Sequence, residues 1–296
     1  MTHNTHTTSS AHKELDAYGS QLVNLVRRWE DPFPKPVIKD YKLDDGRTIR
    51  VVRDDLLAFG TKARAGSAAL SAPEFSHFQT VVYVQPRSGW AGLSLAELCR
   101  RQGKRLILFC PAAATASPHQ LACKAAGAEL RFVRIAAMPV LQGIAKEFAL
   151  KHGYLFFPLG LAVPQATAGL AKVAIGLKIK PPEVWSVIST GVLSRGLQVA
   201  WPDADHSVVA VARNIKDGEK GIAKIYSHPL PFLTPTKILP PYPTVPTYDG
   251  KAWEYVLKHA VDGALVWNVA GDAPDGGIQD FNSSRDWGDK SDAAAA

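Results

Sequence analysis

Short runs of apolar, often β-branched residues alternate with longer amphipathic stretches from about residue 80 to residue 211. Such runs are typical of buried strands, and the stretches between them have the length and periodicity of single helices. The first three of these stretches close on glycine, as helices often do. The alternation predicts parallel strands joined by crossover helices. The predicted strands are TVVYVQP, RLILFC, ELRFVRI, YLFFPLG, VWSVIST and SVVAVAR.

The pattern changes after Asn214. The segment HPLPFLTPTKILPPYPTVPTYDG is too rich in proline for a regular element, so we expect it to run extended over the surface or across a subunit partner. A helix at KAWEYVLKHAV and a short strand at GALVWNVAGD follow. We expect residues 1–18 to be a disordered leader and residues 274–296 to be a flexible tail, because both are polar and lack apolar periodicity.

Composition narrows the class of protein. The chain has 296 residues, 46% of them apolar and 21% charged, which is typical of a globular protein with a real core. No apolar run reaches the roughly 20 residues of a membrane span, and the N-terminus lacks the apolar centre of a signal peptide, so we expect a cytoplasmic protein without membrane contact. Cys99, Cys110 and Cys123 show no metal-ligand spacing, which favours reduced thiols and no metal site.

The net charge of +7 and the isoelectric point near 9.2 raise the question of an anionic partner. A phosphate-bearing cofactor, a carboxylate substrate and a nucleic acid would all fit. The basic residues occur in short groups, such as RRQGKR at residues 100–105, and form no long basic arm. They fit either an ordinary solvated face or a role in binding nucleic acid.

Ligands in open α/β sheets bind outside the carboxyl ends of the strands, so the residues that follow each predicted strand carry most information. After VVYVQP the chain turns and begins a helix. Glycine-flanked backbone amides at a helix start can hold a carboxylate or a phosphate, although a plain tight turn would have the same pattern. The residues of this turn are Ser88, Gly89, Trp90, Ala91 and Gly92.

A second turn, STGVLSRG, lies between a buried strand and a helix. Its hydroxyls, unhindered amides and guanidinium predict a phosphate site. In the alternative interpretation Gly191 only permits the turn and Arg195 is solvated. The candidate residues are Ser189, Thr190, Gly191, Ser194 and Arg195.

Two further positions are candidates for chemistry. Asn268, at the end of the strand in VWNVAGD, could donate to or accept from a ring nitrogen, or could simply cap a turn. In RDDLLAFGTKARAG, Lys62 follows a Phe-Gly-Thr turn and precedes Arg64. Most lysines are solvated, but a buried amine beside another cation has a lowered pKa and is a nucleophile near neutral pH.

In this order the segments resemble the fold type II pyridoxal-phosphate enzymes, the group of tryptophan synthase β, cysteine synthase, threonine deaminase and aminocyclopropane-carboxylate deaminase. The segment RDDLLAFGTKARAG is similar to that family's Arg-Glu-Asp … Gly-Asn-Lys-x-Arg segment, and RSGWAG is similar to its Ser-Gly-Asn-x-Gly loop. STGVLSRG stands in the place of its phosphate loop, and WNVAGD in that of its late strand. The resemblance spans roughly residues 45 to 272.

The resemblance implies a two-lobed α/β fold, each lobe a mostly parallel twisted sheet with helices on both faces. Residues 19–71 and 166–273 would form the larger, cofactor-binding domain, and residues 72–165 the smaller domain with the substrate loop. Pyridoxal 5'-phosphate would be the cofactor, with Lys62 as the Schiff-base lysine. The phosphate loop, Asn268 and Trp90 would bind the cofactor, and Arg64 with the Ser88–Gly92 turn would bind the substrate.

The sequence departs from the family pattern at two places that would contact the cofactor. Trp90 stands where the family has asparagine, and the phosphate loop keeps only Gly191 of several glycines. The resemblance implies a lyase, deaminase or decarboxylase acting on an amino acid or an amino-acid adduct, and a homodimer. In one version of this hypothesis, the chain belongs to a bacteriophage branch of the family and acts on amino-acid-modified pyrimidines in DNA within the host cytoplasm. A nucleotide- or phosphoribosyl-binding transferase and a non-catalytic relative that binds nucleic acid or protein are the alternatives.

Overall fold

The computed structural model describes residues 18–22, 24–134, 137–211 and 215–271, and within them the chain builds two sheets. The predicted leader up to residue 17 and the predicted tail from residue 274 lie outside the described residues. The larger sheet has the strand order β1-β2-β10-β7-β8-β9, and the smaller has the order β5-β4-β3-β6.

The strands are β1 (Ile38–Lys42), β2 (Thr48–Arg53), β3 (Thr80–Val84), β4 (Arg105–Pro111), β5 (Glu129–Val133), β6 (Leu155–Phe156), β7 (Glu183–Ile188), β8 (Asp205–Ala210), β9 (Lys224–Ser227) and β10 (Leu265–Asn268). The helices are α1 (Thr61–Leu70), α2 (Pro73–Ser76), α3 (Ala91–Arg101), α4 (Pro118–Ala125), α5 (Met138–His152), α6 (Pro164–Gly176), α7 (Val192–Ala200), α8 (Asp217–Lys220) and α9 (Trp253–His259). Short 3-10 turns lie at Asp54–Leu56, Leu159–Leu161 and Asp249–Ala252.

Each sheet is covered on both faces because successive side chains of a strand point to opposite sides. In β3, Val81 and Tyr83 belong to a core with α1, α3 and α4, whereas Val82 and Val84 pack with α5. In the larger sheet Trp267 packs toward α6 and α7, and the neighbouring Val266 packs toward α9. The continuous apolar runs of these strands are therefore the consequence of burial on two sides.

The structure confirms the predicted α/β class. All six predicted strands between residues 80 and 211 are present as β3 to β8, and their mutual pairings are parallel. The hairpin of β1 and β2, which is antiparallel, and the edge strand β9 were not predicted. The edge strands β1 and β9 are only partly buried, and in β2 the buried apolar residues are flanked by arginines, so none of the three has the continuous apolar pattern that identifies a central strand. The domain limits near residues 72 and 165 stay a prediction.

Buried charges fix the first turn of α1 against the larger sheet. Arg64 is 1% exposed and donates to Asp54 (Nε to Oδ1, 3.0 Å), to Asp31 and to the carbonyl of Pro34. Asp54 is fully buried and also accepts a hydrogen bond of 2.8 Å from the hydroxyl of Thr61. Because charges taken out of water must be paired, this network holds α1 in one position relative to the strands.

Replacing Arg64 by methionine should destabilise the protein strongly, because the buried carboxylate of Asp54 and the carboxylate of Asp31 lose their partner. We expect the free energy of unfolding to fall by about 3–5 kcal/mol in urea titrations. The matched control is Arg50→Met, which removes an exposed pair with Asp40 at 3.6 Å and should cost less than about 1 kcal/mol. Equal losses in the two variants would contradict a structural role for Arg64.

Candidate functional site

Lys62 lies in the first turn of α1 and extends its amine toward the smaller sheet. The amine donates a hydrogen bond of 2.7 Å to the carbonyl of Gly160, in the turn that follows β6. Burial of the amine lowers its pKa from 10.5 to about 8, and the charge of Asp249 opposes this shift only in part. The amine therefore has a substantial neutral fraction near pH 8, as a nucleophilic lysine requires.

The backbone just before Lys62 makes two close contacts with the carbonyl of Val269. Gly60 has φ of +61°, and a β-carbon there would lie 2.0 Å from the carbonyl oxygen of Val269, which follows β10. The same oxygen accepts a hydrogen bond of 2.8 Å from the amide of Thr61. The glycine before Thr61 thus lets α1 begin directly against the carboxyl end of the larger sheet.

The turn after β7 lies beside Lys62 and lines the same pocket. The pocket has an empty volume of about 380 Å³ including its open mouth, and Tyr248 closes one side. The backbone amides of residues 190–194 have no acceptor among the described residues, since the first helical bond runs from Arg195 to Gly191. A helix start with free amides is suited to a phosphate, as the sequence predicted for this turn.

The conformation of this turn depends on Gly191. Its φ is +74°, and a β-carbon there would lie 2.6 Å from the carbonyl oxygen of Glu219 in α8. The hydroxyl of Ser189 forms a hydrogen bond of 3.2 Å with that of Tyr248, and the hydroxyl of Ser194 accepts from Gln198. The turn is therefore held from both sides while its amides stay available.

A buried carboxyl group lies next to this pocket at Asp249. Its Oδ2 accepts a hydrogen bond of 3.2 Å from the amide of Val269, whereas Oδ1 is buried and has no partner among the described residues. Burial raises the pKa of Asp249 well above its ordinary value, and the nearby amine of Lys62 lowers it in part. A buried oxygen without a partner is costly, so this atom is available for a polar group of a ligand.

The turn after β3 presents a second set of free amides. Those of Ser88, Gly89, Trp90 and Ala91 have no acceptor among the described residues. The amide of Gly92 is already used, because it donates to the side-chain oxygen of Gln85 at 3.0 Å. The side-chain nitrogen of Gln85 donates in turn to the carbonyls of Pro86 and Gly89, which holds the loop in place. These amides fit a carboxylate, although Gly92 serves the loop itself.

The topology brings the two turns and Lys62 together. The turns after β3 and β6 leave the same edge of the smaller sheet, because these strands are adjacent and parallel. The turn after β7 leaves the carboxyl edge of the larger sheet. Gly160, in the turn after β6, lies against it, because a β-carbon at Gly160 would be 2.5 Å from the hydroxyl oxygen of Thr190. The predicted lysine and the phosphate-type turn thus line one pocket, and the carboxylate-type turn leaves the same edge of the smaller sheet as the turn that carries Gly160.

Two other predicted residues, Arg64 and Asn268, are hydrogen-bonded within the protein. Arg64 is committed to Asp54 and Asp31, and its guanidinium is buried away from the pocket lining. Asn268 is 1% exposed and uses its amide for Thr244, Asp55 and the carbonyl of Pro243. These contacts occupy the guanidinium of Arg64 and the amide of Asn268, and the predicted contacts with substrate and ring nitrogen stay predictions.

Arg195 also points away from the free amides of its turn. Its guanidinium lies over the ring of Tyr18, 4.7 Å from the centroid, and donates to Gln198. Trp90 begins α3, and its ring packs near Phe59 with a centroid distance of 6.3 Å. Trp90 therefore lies beside the turn that leads to Lys62.

Sequence reasoning missed Tyr248, Asp249, Gly160 and Gln85. Tyr248 and Asp249 end the proline-rich segment, where the sequence shows no regular element, and the signal that could have found them is an isolated acidic residue between a tyrosine and a glycine.

Among the described residues no cluster of histidine, cysteine and acidic side chains could hold a metal ion. In the same part of the chain, no helix has both the length and the apolar character needed to cross a bilayer.

The pKa of Lys62 predicts how its reactivity depends on pH. The amine should react with acetic anhydride along a titration curve with its midpoint near pH 8, because deprotonation makes it nucleophilic. The same pKa makes the stability of the protein depend on pH. Because the unfolded chain binds this proton more tightly than the folded protein does, the contribution of Lys62 to the free energy of unfolding rises with pH between about pH 8 and 10.5. Competitive labelling with peptide mapping measures the midpoint. The exposed Lys224, whose pKa is raised, is the control, and a midpoint for Lys62 as high as that of Lys224 would contradict the prediction.

Solved enzyme structures share this fold, whereas neither a family model nor a curated protein matches the sequence. An ACC deaminase homologue superposes with a TM-score of 0.71 at 17% identity, covering 84% of this chain and 94% of that chain. Diaminopropionate ammonia lyase of Escherichia coli gives 0.60 at 12% identity, with coverage of 93% and 94%. A pyridoxal 5'-phosphate-dependent aspartate racemase gives 0.53 at 16% identity, with coverage of 85% and 79%. The chain therefore has the fold of the fold type II pyridoxal-phosphate enzymes.

Proposed function

We propose that this chain binds pyridoxal 5'-phosphate and acts on an amino acid as a lyase, deaminase or decarboxylase. The observation that carries the proposal is the position of the Lys62 amine, which shares a pocket with the free amides of residues 190–194 and donates to the turn after β6, the strand next to the one that leads into residues 88–91. One turn fits a phosphate and the other a carboxylate, which are the two anionic groups that such a cofactor and such a substrate bring. The names of the structural neighbours, two of which are a deaminase homologue and an ammonia lyase, agree with this class.

Lys62 would hold the cofactor through its amine. The aldehyde of pyridoxal phosphate condenses with an amine with loss of water, and its protonated ring withdraws electrons from the bonds at the α-carbon of a bound amino acid. The lowered pKa of Lys62 gives a neutral amine for bond formation. Once an amino acid has displaced it, the same amine can accept or donate a proton at Nζ.

The phosphate would be held by the free amides of residues 190–194 and the hydroxyls of Ser189 and Thr190. These groups meet at the start of α7, where the helix dipole also favours negative charge. Tyr248 supports this loop through Ser189. No basic side chain is required at the phosphate, because several charge-assisted bonds from backbone amides suffice.

Asp249 would pair its unpartnered Oδ1, as a carboxylate, with the protonated ring nitrogen of the cofactor. Its burial makes the isolated carboxylate unfavourable, so it gains most from a cationic or protonated partner. This role replaces the one that the sequence suggested for Asn268, whose amide is already used. A carboxyl group here would favour the protonated ring, and thus electron withdrawal from the substrate.

The substrate's carboxylate would lie on the amides of residues 88–91, at the start of α3. Gln85 fixes that loop through two carbonyls and the Gly92 amide, so the donors are oriented before the substrate binds. The modified-pyrimidine substrate, the nucleic-acid partner, the phage origin with its host cytoplasm, and the homodimer stay predictions without a structural observation in their favour. The same holds for the transferase and the non-catalytic alternatives.

Adding pyridoxal 5'-phosphate to the protein should produce a visible absorbance band, and reduction with borohydride should attach the cofactor to Lys62. Peptide mapping by mass spectrometry locates the attachment. The Lys62→Arg variant should lose both the band and the label, because a guanidinium is not nucleophilic near neutral pH.

Lys251 supplies the matched control. It is another buried lysine with a lowered pKa, but its amine is bound to the carbonyls of Pro231 and Phe232. Lys251→Arg should keep the band and the label at Lys62. A label on a lysine other than Lys62, or no label on any lysine at saturating cofactor, would contradict the proposal.

Replacing Asp249 by asparagine should reduce catalysis while leaving the cofactor bound. The amide has the same shape but cannot hold a negative charge against the ring nitrogen, so we expect α-proton exchange of bound amino acids to slow by about 100-fold. Exchange in deuterated water, followed by NMR over a panel of amino acids, measures the rate. Asp205→Asn, in the exposed first residue of β8, is the control and should change the rate by less than about twofold. An unchanged rate in Asp249→Asn would remove Asp249 from the chemistry.

A further inference from the structure

An aromatic surface continues from the Lys62 turn into the smaller lobe. Phe59 lies three residues before Lys62, and its ring is 6.3 Å from that of Trp90. The ring of Trp90 meets that of His119 edge to face, with a centroid distance of 5.4 Å. His119 stands in the first turn of α4, after the loop that leaves β4, so this surface lies at the same sheet edge as the free amides of residues 88–91.

A polar group on this surface lacks a partner. The indole Nε1 of Trp90 is buried and has no acceptor among the described residues. The side-chain nitrogen of Gln120, which adjoins His119, is likewise buried without an acceptor. His119 is 7% exposed. Buried donors are satisfied in almost all proteins, so the Trp90 nitrogen indicates a missing hydrogen-bond acceptor.

The surroundings carry little charge. Burial lowers the pKa of His119, so its ring is neutral at neutral pH. Arg87 is committed to the carbonyl of Thr115, to which it donates at 2.8 Å. A charged group on this surface would lose its hydration without gaining an ion pair, whereas a neutral acceptor would satisfy the donors. The flat rings of Phe59, Trp90 and His119 favour contact with a planar group.

We propose that Trp90 and His119 form the subsite for the substrate's side chain, and that this subsite selects an uncharged, planar group with a hydrogen-bond acceptor, such as a carboxamide. The inference rests on the proposed function, because the subsite is identified by its position next to the carboxylate-type turn. It adds the substrate class: an α-amino acid with a neutral amide-like side chain binds better than its acidic or aliphatic equivalents.

The indole N–H signal of Trp90 reports directly on this subsite. In ¹H–¹⁵N NMR spectra of the full chain with pyridoxal 5'-phosphate, Trp90→Phe identifies the signal by its loss. Asparagine, aspartate and leucine have side chains of nearly equal size, and glutamine and glutamate extend the series by one methylene group. We expect the carboxamides to shift the Trp90 signal and leucine to leave it in place. The indole of Trp185, which also lacks a partner but is stacked on Tyr226 in the core, should not move.

Affinities measured by calorimetry give the second readout. Trp90→Phe keeps a flat ring but removes the donor, so the ratio of asparagine to leucine affinity should fall by about tenfold. Trp185→Phe, the matched control, should leave this ratio unchanged. A Trp90 signal that moves equally with leucine or aspartate, or that no amino acid of the series moves, would overturn the inference.

Repeating the titration without pyridoxal phosphate separates the two proposals. If Lys62 takes no borohydride label but carboxamides still shift the Trp90 signal, the proposed cofactor chemistry fails and the subsite stands. If Lys62 is labelled and the shift is absent, the subsite fails and the cofactor proposal stands.

Discussion

The position of the Lys62 amine depends on the contact between Gly60 and the carbonyl of Val269. No side chain larger than glycine's fits there, since a β-carbon would lie 2.0 Å from that oxygen. The contact brings the start of α1 against the end of β10, and the Thr61 amide completes it. Phe59, just before, has φ of +66°, a conformation that costs about 1–3 kcal/mol for a residue with a side chain. Such strain persists only where packing over-determines the backbone, as the Arg64 network does for α1.

Burial then gives the cleft its electrostatics. An amine and a carboxyl group, Lys62 and Asp249, both lie in protein rather than in water, and each has a pKa displaced toward its neutral form. Their mutual attraction opposes both shifts without cancelling them. In this low-dielectric setting a bound ligand with complementary charge is stabilised more than it would be in solution. The free amides on either side add donors that need no reorganisation when an anion arrives.

The turn after β6 connects the two sheets at Gly160. Its carbonyl accepts from Lys62, its amide donates to the hydroxyl of Tyr83 at 3.1 Å, and its α-carbon lies close to Thr190. A single turn after β6 thus touches the lysine, the smaller sheet and the phosphate-type turn. Leu161, the next residue, has φ of +60°, so backbone strain lies on both sides of the amine.

The sequence by itself determined the α/β class, the strands β3 to β8, and the loops of the cleft, because buried parallel strands are continuous apolar runs and ligand loops follow their carboxyl ends. It also singled out Lys62 from its place in a family-like segment. Only the tertiary structure decided the partners of Arg64 and Asn268, since Asp31 and Thr244 lie tens of residues away in the chain or outside any regular pattern. The importance of Asp249 could not be predicted from the sequence for the same reason. Its significance comes from burial and from the nearby amine of Lys62, 187 positions earlier in the numbering, and neither is visible in local periodicity.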